Sequence, residues 1–420
     1  MISIAPLDQR KHEFYDALTQ WKPAFGKSAA GVTPLLSVEG ESHEDALDKA
    51  NYLLIANLWG DGLPLWPATK QRVDRILHGT VLPRDHAIGK FPPRGGITTV
   101  ETCAIALAMA GGRPEYLPVL IAAVEAFLDP ESNAEQLQAA SGSAFPVVIV
   151  NGPIAKQIRL NSGFGCLGPD PQQPAGASIG RALRLIQQNV GGALPGIGAM
   201  ANYGGNRNTN LVFAEDEENL PAGWLPHCTD RHGFAQGANS VSLLFANGAT
   251  NMRRRGAKKE TPEEDALQGM HRMADFMRVP NLTSLGGYEK GTPGVLLIPA
   301  VVAQTMTRLG WTKKSMREFL WEHSKIPLAD LKRNGGPAWI EIDANPLTRE
   351  SIKHDPWPIT FKPDNFVIIV AGGGHPTNSY WLQGYSPRVI GREIRVPETF
   401  DRLLTEADRD LGCGSDYCRV

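Results

Sequence analysis

The 420-residue chain carries 42 basic and 44 acidic side chains, a formal charge of -2, and 42% hydrophobic residues. So even a balance argues against nucleic acid or another polyanion as a partner. No apolar run approaches the roughly 20 residues that a bilayer span requires, and the length allows about two to three domains.

The opening residues, MISIAPLDQRKHEF, have no basic start followed by an apolar stretch, and a cytoplasmic protein with no membrane partner is expected. Cysteines stand at Cys103, Cys166, Cys228, Cys413 and Cys418. Odd in number and widely scattered, they form no disulfide framework and read as reduced thiols.

Residues 1–90 read as a helical N-terminal arm with Pro-rich connections, in which Trp59, Trp66 and GLPLWP pack on the main body. A first α/β unit with Gly- and Asn-rich loops is expected over 91–250, and a second, ending in a cysteine tail, over 251–420. ITTVETCAIALAMA at 97–110 predicts a helix stopped by Gly111 and Gly112. Pro114 and Glu115 then open another, YLPVLIAAVEAFL, which stops at Asp129 and Pro130.

Apolar runs predict strands at 145–153, 211–216, 240–248 and 366–374, separated by helical patterns at 176–190, 262–277, 293–309 and 312–323. This rhythm predicts an α/β fold: a mostly parallel sheet with helices on both faces, in Rossmann-like layers. Ligands of such sheets bind beyond the carboxyl ends of the strands. Asn151, Asn247 and Gly372, each closing an apolar run, are therefore expected along one edge.

None of G-x-x-x-x-G-K-[ST], H-E-x-x-H, G-x-S-x-G or a Rossmann G-x-G-x-x-G between strand and helix is present, so neither nicotinamide nor ATP use is indicated, and the cofactor stays unknown from the sequence. PPRGG at 92–96 places Arg94 before an expected helix start, where a guanidinium and free N–H groups would hold an anion. NGPIAKQIRLNSGFGCLG at 151–168 offers Asn151, Asn161 and Ser162 for orienting a ligand, and Cys166 among glycines as a candidate nucleophile. PHCTDRHGF supplies His227 for acid–base work. The same stretch offers His227, Cys228 and His232 as an alternative metal-ligand set. NYGGNRNTN adds Asn206 and Asn208, whose amides suit an uncharged polar group. Cys413 and Cys418 lie within the last eight residues, where two thiols suggest redox chemistry.

The run from PPRGGITTVETCAIALAMAGGRPEYLPVLIAAVEAFLDP through PVVIVNGPIAKQIRLNSGFGCLGP and GASIGRALRLIQQNVGG to WLPHCTDRHGF and SVSLLFANGA resembles the UGSC family of proteins and selenoproteins, over roughly residues 45–250. Many members of that family carry selenocysteine or cysteine, Gly, Ser and cysteine in succession, which implies thiol or selenol chemistry. This chain has no such sequence, its nearest approach being CGSDYC at 413–418. The resemblance therefore implies a separate UGSC-type thiol or selenol subunit as a possible partner, or chemistry done without one. The positions carried over by resemblance are Arg94, Glu101, Arg113, Glu115, Asn151, Asn161, Ser162, Arg181, Asn189 and His227.

The resulting expectation is an enzyme, in a homo-oligomer, that cleaves or reduces a C–S or C–N bond of a small polar, anionic compound. Cys166 and His227 would be its catalytic residues, and Arg94, Arg113, Asn151, Asn161, Ser162, Asn206 and Asn208 would bind substrate. The alternatives are a metal-dependent hydrolase or lyase using His227, Cys228 and His232, and a non-catalytic substrate-binding subunit of a thiol or selenol redox complex.

Overall fold

The structure is a computed structural model that describes residues 12, 35–204, 210–253, 261–278, 292–333, 354–376, 378–386 and 388–412. The chain divides into Met1–Glu39 and Gly40–Val420, and the second unit contains every element named here. Asn206, Asn208, Cys413 and Cys418 lie outside the described residues.

Helices α1 (His43–Ala56) and α2 (Lys70–Leu77) precede a hairpin of β1 (Ala87–Phe91) and β2 (Gly96–Thr99). Next come α3 (Val100–Met109), α4 (Leu117–Phe127) and α5 (Ala134–Ala139), which lead into β3 (Phe145–Asn151). The crossover α6 (Ile154–Gln157) and α7 (Ala175–Asn189) returns the chain to β4 (Leu211–Ala214), and α8 (His227–His232) leads to β5 (Ser240–Arg253). Beyond α9 (Pro262–Met277) follow β6 (Thr292–Ile298), α10 (Ala300–Arg308), α11 (Lys313–His323), α12 (Leu328–Arg333) and β7 (Val367–Val370). The last elements are β8 (Asn378–Ser386), β9 (Ile390–Glu393) and α13 (Phe400–Leu411).

One seven-stranded sheet runs in the order β4-β3-β5-β8-β6-β7, with β9 paired to β5. The fold is α/β, as its alternating pattern predicts. Parallel pairing is confined to β3 with β4 and β6 with β7, each joined by a helical crossover. All other pairs in this sheet are antiparallel. The two halves share one topology: a strand, a parallel neighbour toward the edge, then an antiparallel return on the inner side. β5 and β8 are those returns, and they join the halves along the centre.

Antiparallel return places Asn247 away from the edge expected for it. Asn151 stands opposite Ser240 and Phe145 opposite Ala246, so Asn247 lies toward the amino end of β3. The Asn-Gly pair at 247–248 ends no strand; the register shifts between Ala246 and Gly248, and β5 continues to Arg253. A bulge uses the same residue types as a turn, so the dipeptide alone does not distinguish them. β5 also spans the boundary expected at residues 250 and 251, and a single sheet joins the segments on either side.

The sheet curls until the carboxyl ends of its edge strands meet. Asp216 N–H, just past β4, donates to Val370 O at 2.8 Å, and Gly372 N–H donates to Ser162 O at 2.9 Å. Alternate side chains then fill one interior: Phe145, Val147 and Ile149, with Leu211 and Phe213, Leu244 and Ala246, Val295 and Leu297, and Val367 and Ile369. The intervening residues point outward. Val148, Val150, Val212, Leu243 and Phe245 pack under α3, α4 and α7, while Leu296, Ile298, Ile368 and Val370 pack under α9, α10 and α11. Helices thus cover the outer face, and the inner face is covered by the opposite wall of the same sheet.

Two expected helices begin with strands. ITT of the 97–110 segment belongs to β2, and α3 starts only at Val100, where Thr99 caps it and Thr102 completes a capping box. In the 293–309 segment, TPGVLLI is β6, and Pro299 caps α10. Both openings are rich in β-branched or apolar residues too short to show a helical period. No helix among the described residues is long and apolar enough to cross a membrane.

Ile369 is wholly buried on the inner face, whereas Ile97 is 51% exposed. Ile369→Ala is expected to cost about 2–5 kcal/mol, read as a lowered urea midpoint. Ile97→Ala should stay within about 0.5 kcal/mol.

Candidate functional site

Inward-facing positions turn from apolar to polar at the carboxyl end of β3 and β4. Strand alternation continues Val147 and Ile149 into Asn151, and Leu211 and Phe213 into Glu215. On antiparallel β5 the positions facing Asn151 and Ile149 are Ser240 and Ser242. Asn151, Glu215, Ser240 and Ser242 are all buried.

The Glu215 carboxylate is fully enclosed and gathers donors from separate elements. Its Oε2 accepts from Asn151 Nδ2 at 2.8 Å and from His227 N–H at 2.6 Å, and its Oε1 lies 3.5 Å from Lys313 Nζ. Lys313, the first residue of α11, also donates to Leu225 O at 2.7 Å. Burial pushes the Glu215 carboxyl above its ordinary value, against the pull of Lys313 and the two hydrogen bonds.

Asn151 is oriented without ambiguity. Its Nδ2 also donates to Glu217 Oε1 at 2.7 Å, so both amide protons are engaged, and buried Oδ1 has no partner. Glu217 Oε1 accepts in addition from Gly152 N–H at 2.7 Å. Gly152 has φ +90°, and a Cβ there would stand 2.6 Å from both Ala238 O and Asn239 Oδ1, so this turn admits only glycine.

Helix α8 carries two histidines to the same end. The buried His227 ring has no partner on either Nδ1 or Nε2, while His232 Nε2 lies 3.0 Å from Ser242 Oγ. The rings meet edge to face, with centroids 5.7 Å apart. His232 rests on Gly391 of β9, where any Cβ would come within 2.6 Å of the ring. Burial, with His232, Lys313, Arg231 and Arg317 nearby, holds His227 well below the usual imidazole range. Burial and the neighbouring Arg231 and Arg392 bring His232 down to about 4. Both imidazoles are therefore neutral near pH 7. Next to His227, Cys228 is buried, and burial raises its thiol above the ordinary value.

The structure thus unites Asn151 and His227, and adds Glu215, Glu217, Lys313, Ser240, Ser242 and His232. One sequence signal pointed to Glu215: the acidic stretch EDEEN directly after the apolar LVFA. Lys313 carries no such signal, since only the packing of α11 brings it to Glu215.

Other expected site residues serve elsewhere. Arg94 sits in the turn between β1 and β2, separated from α3 by the whole of β2. Its backbone N–H donates to Gly191 O, and its side chain packs on Gly192, just past α7. The guanidinium therefore lies near a helix carboxyl terminus, which favours cations. That end of α7 leads back to the amino end of β4, away from Asn151. Arg113 is engaged by Glu115 at 2.6 Å and by Asp410 of α13 at 3.1 Å. The Asn161 amide is spent on its own loop: Nδ2 donates to Phe164 O and Asp170 Oδ2, and Oδ1 accepts from Gly163 N–H. Ser162 contributes its carbonyl to Gly372 N–H, which ties its loop to the exit of β7.

Cys166 is buried among the inward-facing apolar side chains, with burial pushing its thiol up to about 12. A nucleophilic thiolate requires the opposite environment. Among the described residues no three His, Cys, Asp or Glu side chains are gathered as a metal ion would require, His227, Cys228 and His232 included.

Comparison with protein-family models, curated proteins and solved structures finds no match to this chain.

Because the folded His232 titrates near 4 rather than near its ordinary 6.5, the unfolded chain takes up that proton first as pH falls. The stabilisation is complete above about pH 6.5 and is lost toward pH 4. The raised Glu215 acts with the opposite sign, so comparison with a single-site variant is required. Between pH 6.5 and 4 the melting temperature should fall more steeply in the parent than in His232→Asn; equal slopes would contradict the neutral buried ring. Iodoacetamide should leave Cys103, Cys166 and Cys228 unmodified in the native protein, by mass spectrometry of each peptide. Fast labelling of Cys166 would overturn its placement.

Proposed function

We propose that the chain is an enzyme that cleaves a carbon–heteroatom bond, C–N or C–S, in a small polar organic molecule bound at the carboxyl end of the curled sheet. The observation that carries this reading is the His227 ring, buried and neutral with both nitrogens unpartnered, on a residue whose backbone N–H shares Glu215 Oε2 with the amide of Asn151, itself left with an unpartnered carbonyl. A buried polar group normally finds a partner, and a valence that the fold does not fill is open to a ligand or to buried water.

A neutral imidazole presents one donor and one acceptor, the equipment of a general acid–base group. One ring nitrogen would take a proton from an attacking water, whose oxygen forms the new bond to carbon, and return that proton to the departing nitrogen or sulfur as its bond to carbon breaks. Glu215 does not touch the ring; it holds the His227 backbone and the Asn151 amide, and so positions both. His227 is only 1% exposed, so a ligand that meets its ring is enclosed by protein.

Reduction by a described thiol of this chain has less support, because Cys103, Cys166 and Cys228 are buried, while Cys413 and Cys418 lie outside the described residues. The resemblance to the UGSC family instead favours a thiol or selenol supplied by a separate polypeptide. Metal-dependent chemistry at His227, Cys228 and His232 lacks a supporting geometry among the described residues.

The test is turnover against a panel of small amides, amines and thioethers. His227→Gln is expected to lower kcat by roughly 10²-fold or more, whereas Cys166→Ser should stay within a few-fold of the parent. Full activity in His227→Gln, or loss confined to Cys166→Ser, would refute the assignment.

A further inference from the structure

The unfilled hydrogen-bonding groups and the surrounding charges also restrict what the ligand can be. With both Asn151 amide protons held by Glu215 and Glu217, the side chain offers only an acceptor. A ligand must bring a donor to it. The His227 ring offers one donor and one acceptor, and the buried Ser240 hydroxyl, beside the Cys228 thiol, has no well-aligned partner of its own. The complementary molecule therefore carries an N–H or O–H next to an acceptor.

Charge of either sign is disfavoured. An anion would approach Glu215, Glu217 and the Asn151 carbonyl oxygen, and the nearby cations are already engaged. Lys313 serves Glu215 and Leu225 O, Arg231 the Asp364 carbonyl, Arg317 Asp230, and Arg392 Asp129. A cation would meet the same Lys313, Arg231 and Arg317 that keep His227 unprotonated. Either ion would also surrender its hydration on entering a buried site. The anionic substrate suggested by the sequence depended on Arg94, which lies toward the other end of the sheet.

We infer that the site of Asn151, His227 and Ser240 takes an uncharged ligand bearing an N–H beside a carbonyl, as in a carboxamide, lactam or urea. This rests on the reading of His227 as the centre of the site. It adds a substrate class, in which the Asn151 carbonyl receives the ligand N–H and the His227 ring donates to the ligand oxygen. A nitrogen so placed is also the one that would depart in C–N cleavage.

Three near-isosteric probes separate the possibilities: acetamide is uncharged, acetate is its anionic counterpart and acetamidinium its cationic one. Each is titrated at equal concentrations into the full chain labelled with ¹³C at histidine Cε1, and the His227 signal is assigned by its loss in His227→Gln. Acetamide should shift that signal saturably, with the two ions leaving it in place. Ser240→Ala and Asn151→Ser should each weaken the acetamide response by about tenfold, the effect of one lost hydrogen bond. Ser240→Ala is the milder change and remains informative should Asn151→Ser fail to fold. A saturable shift by acetate or acetamidinium at lower concentration than acetamide would overturn the ligand class while leaving His227 as the site's centre. No His227 shift with any probe would overturn both, leaving the unpartnered atoms to buried water.

Discussion

A carboxylate removed from water must be met by donors, because its desolvation otherwise exceeds anything the rest of the fold supplies locally. Glu215 is met by the Asn151 amide at the end of β3, the His227 backbone at the start of α8 and the Lys313 ammonium at the start of α11. Those groups come from both topological halves of the sheet. One buried charge therefore holds together the parts of the candidate site, and it does so without touching the imidazole that the site presents. Removing any one donor would leave the others around an incompletely paired charge, so Glu215 and its partners are coupled rather than additive.

The curled sheet explains why the polar groups collect where they do. Its edge strands meet at their carboxyl ends through backbone hydrogen bonds, and its inner face is packed with branched and aromatic side chains below that junction. Above it, the inward positions of β3, β4 and β5 become Asn, Glu and Ser. Two close approaches complete the arrangement. Gly152 lets the chain leave β3 against Ala238 and Asn239, and Gly391 gives the His232 ring a surface to rest on. Apolar packing below and hydrogen bonding above hold Asn151 and Glu215 in place.

Many polar residues that look functional serve the scaffold instead. Arg181 makes a bidentate pair with Asp61 and also donates to Leu63 O and Pro64 O. Gln188 donates to Leu58 O and Gly60 O, and Asn189 to Trp59 O. These α7 side chains secure the irregular segment before α2 through its carbonyls. Arg113, Glu115 and Asp410 likewise join the start of α4 to α13. Resemblance selected Arg113, Glu115, Arg181 and Asn189 together with Asn151 and His227. What separates the two groups is satisfaction: the former spend their polar atoms within the fold, while Asn151 and His227 keep atoms that the fold leaves open. Glu115, with one carboxylate oxygen unpartnered, is the intermediate case.

Local composition by itself determined the α/β class and the apolar runs at 145–153, 211–216, 240–248 and 366–374 that hold β3, β4, the first half of β5 and β7, since hydrophobic period and capping residues act over a few neighbours. It also singled out Asn151 and His227, because a polar residue closing an apolar run and a histidine in a short polar segment are visible one residue at a time. Strand direction was decided only by tertiary structure. An antiparallel return and a parallel crossover bury the same side chains, so β5 and its Asn247 bulge could not be oriented from their residues alone. The same holds for the site's chemistry. Whether Arg94 meets the start or the end of a helix, whether Cys166 is exposed or packed, and whether Lys313 finds Glu215 depend on contacts between residues distant in sequence. Charge, dielectric and hydrogen-bond satisfaction are properties of those contacts, and not of the residues that make them.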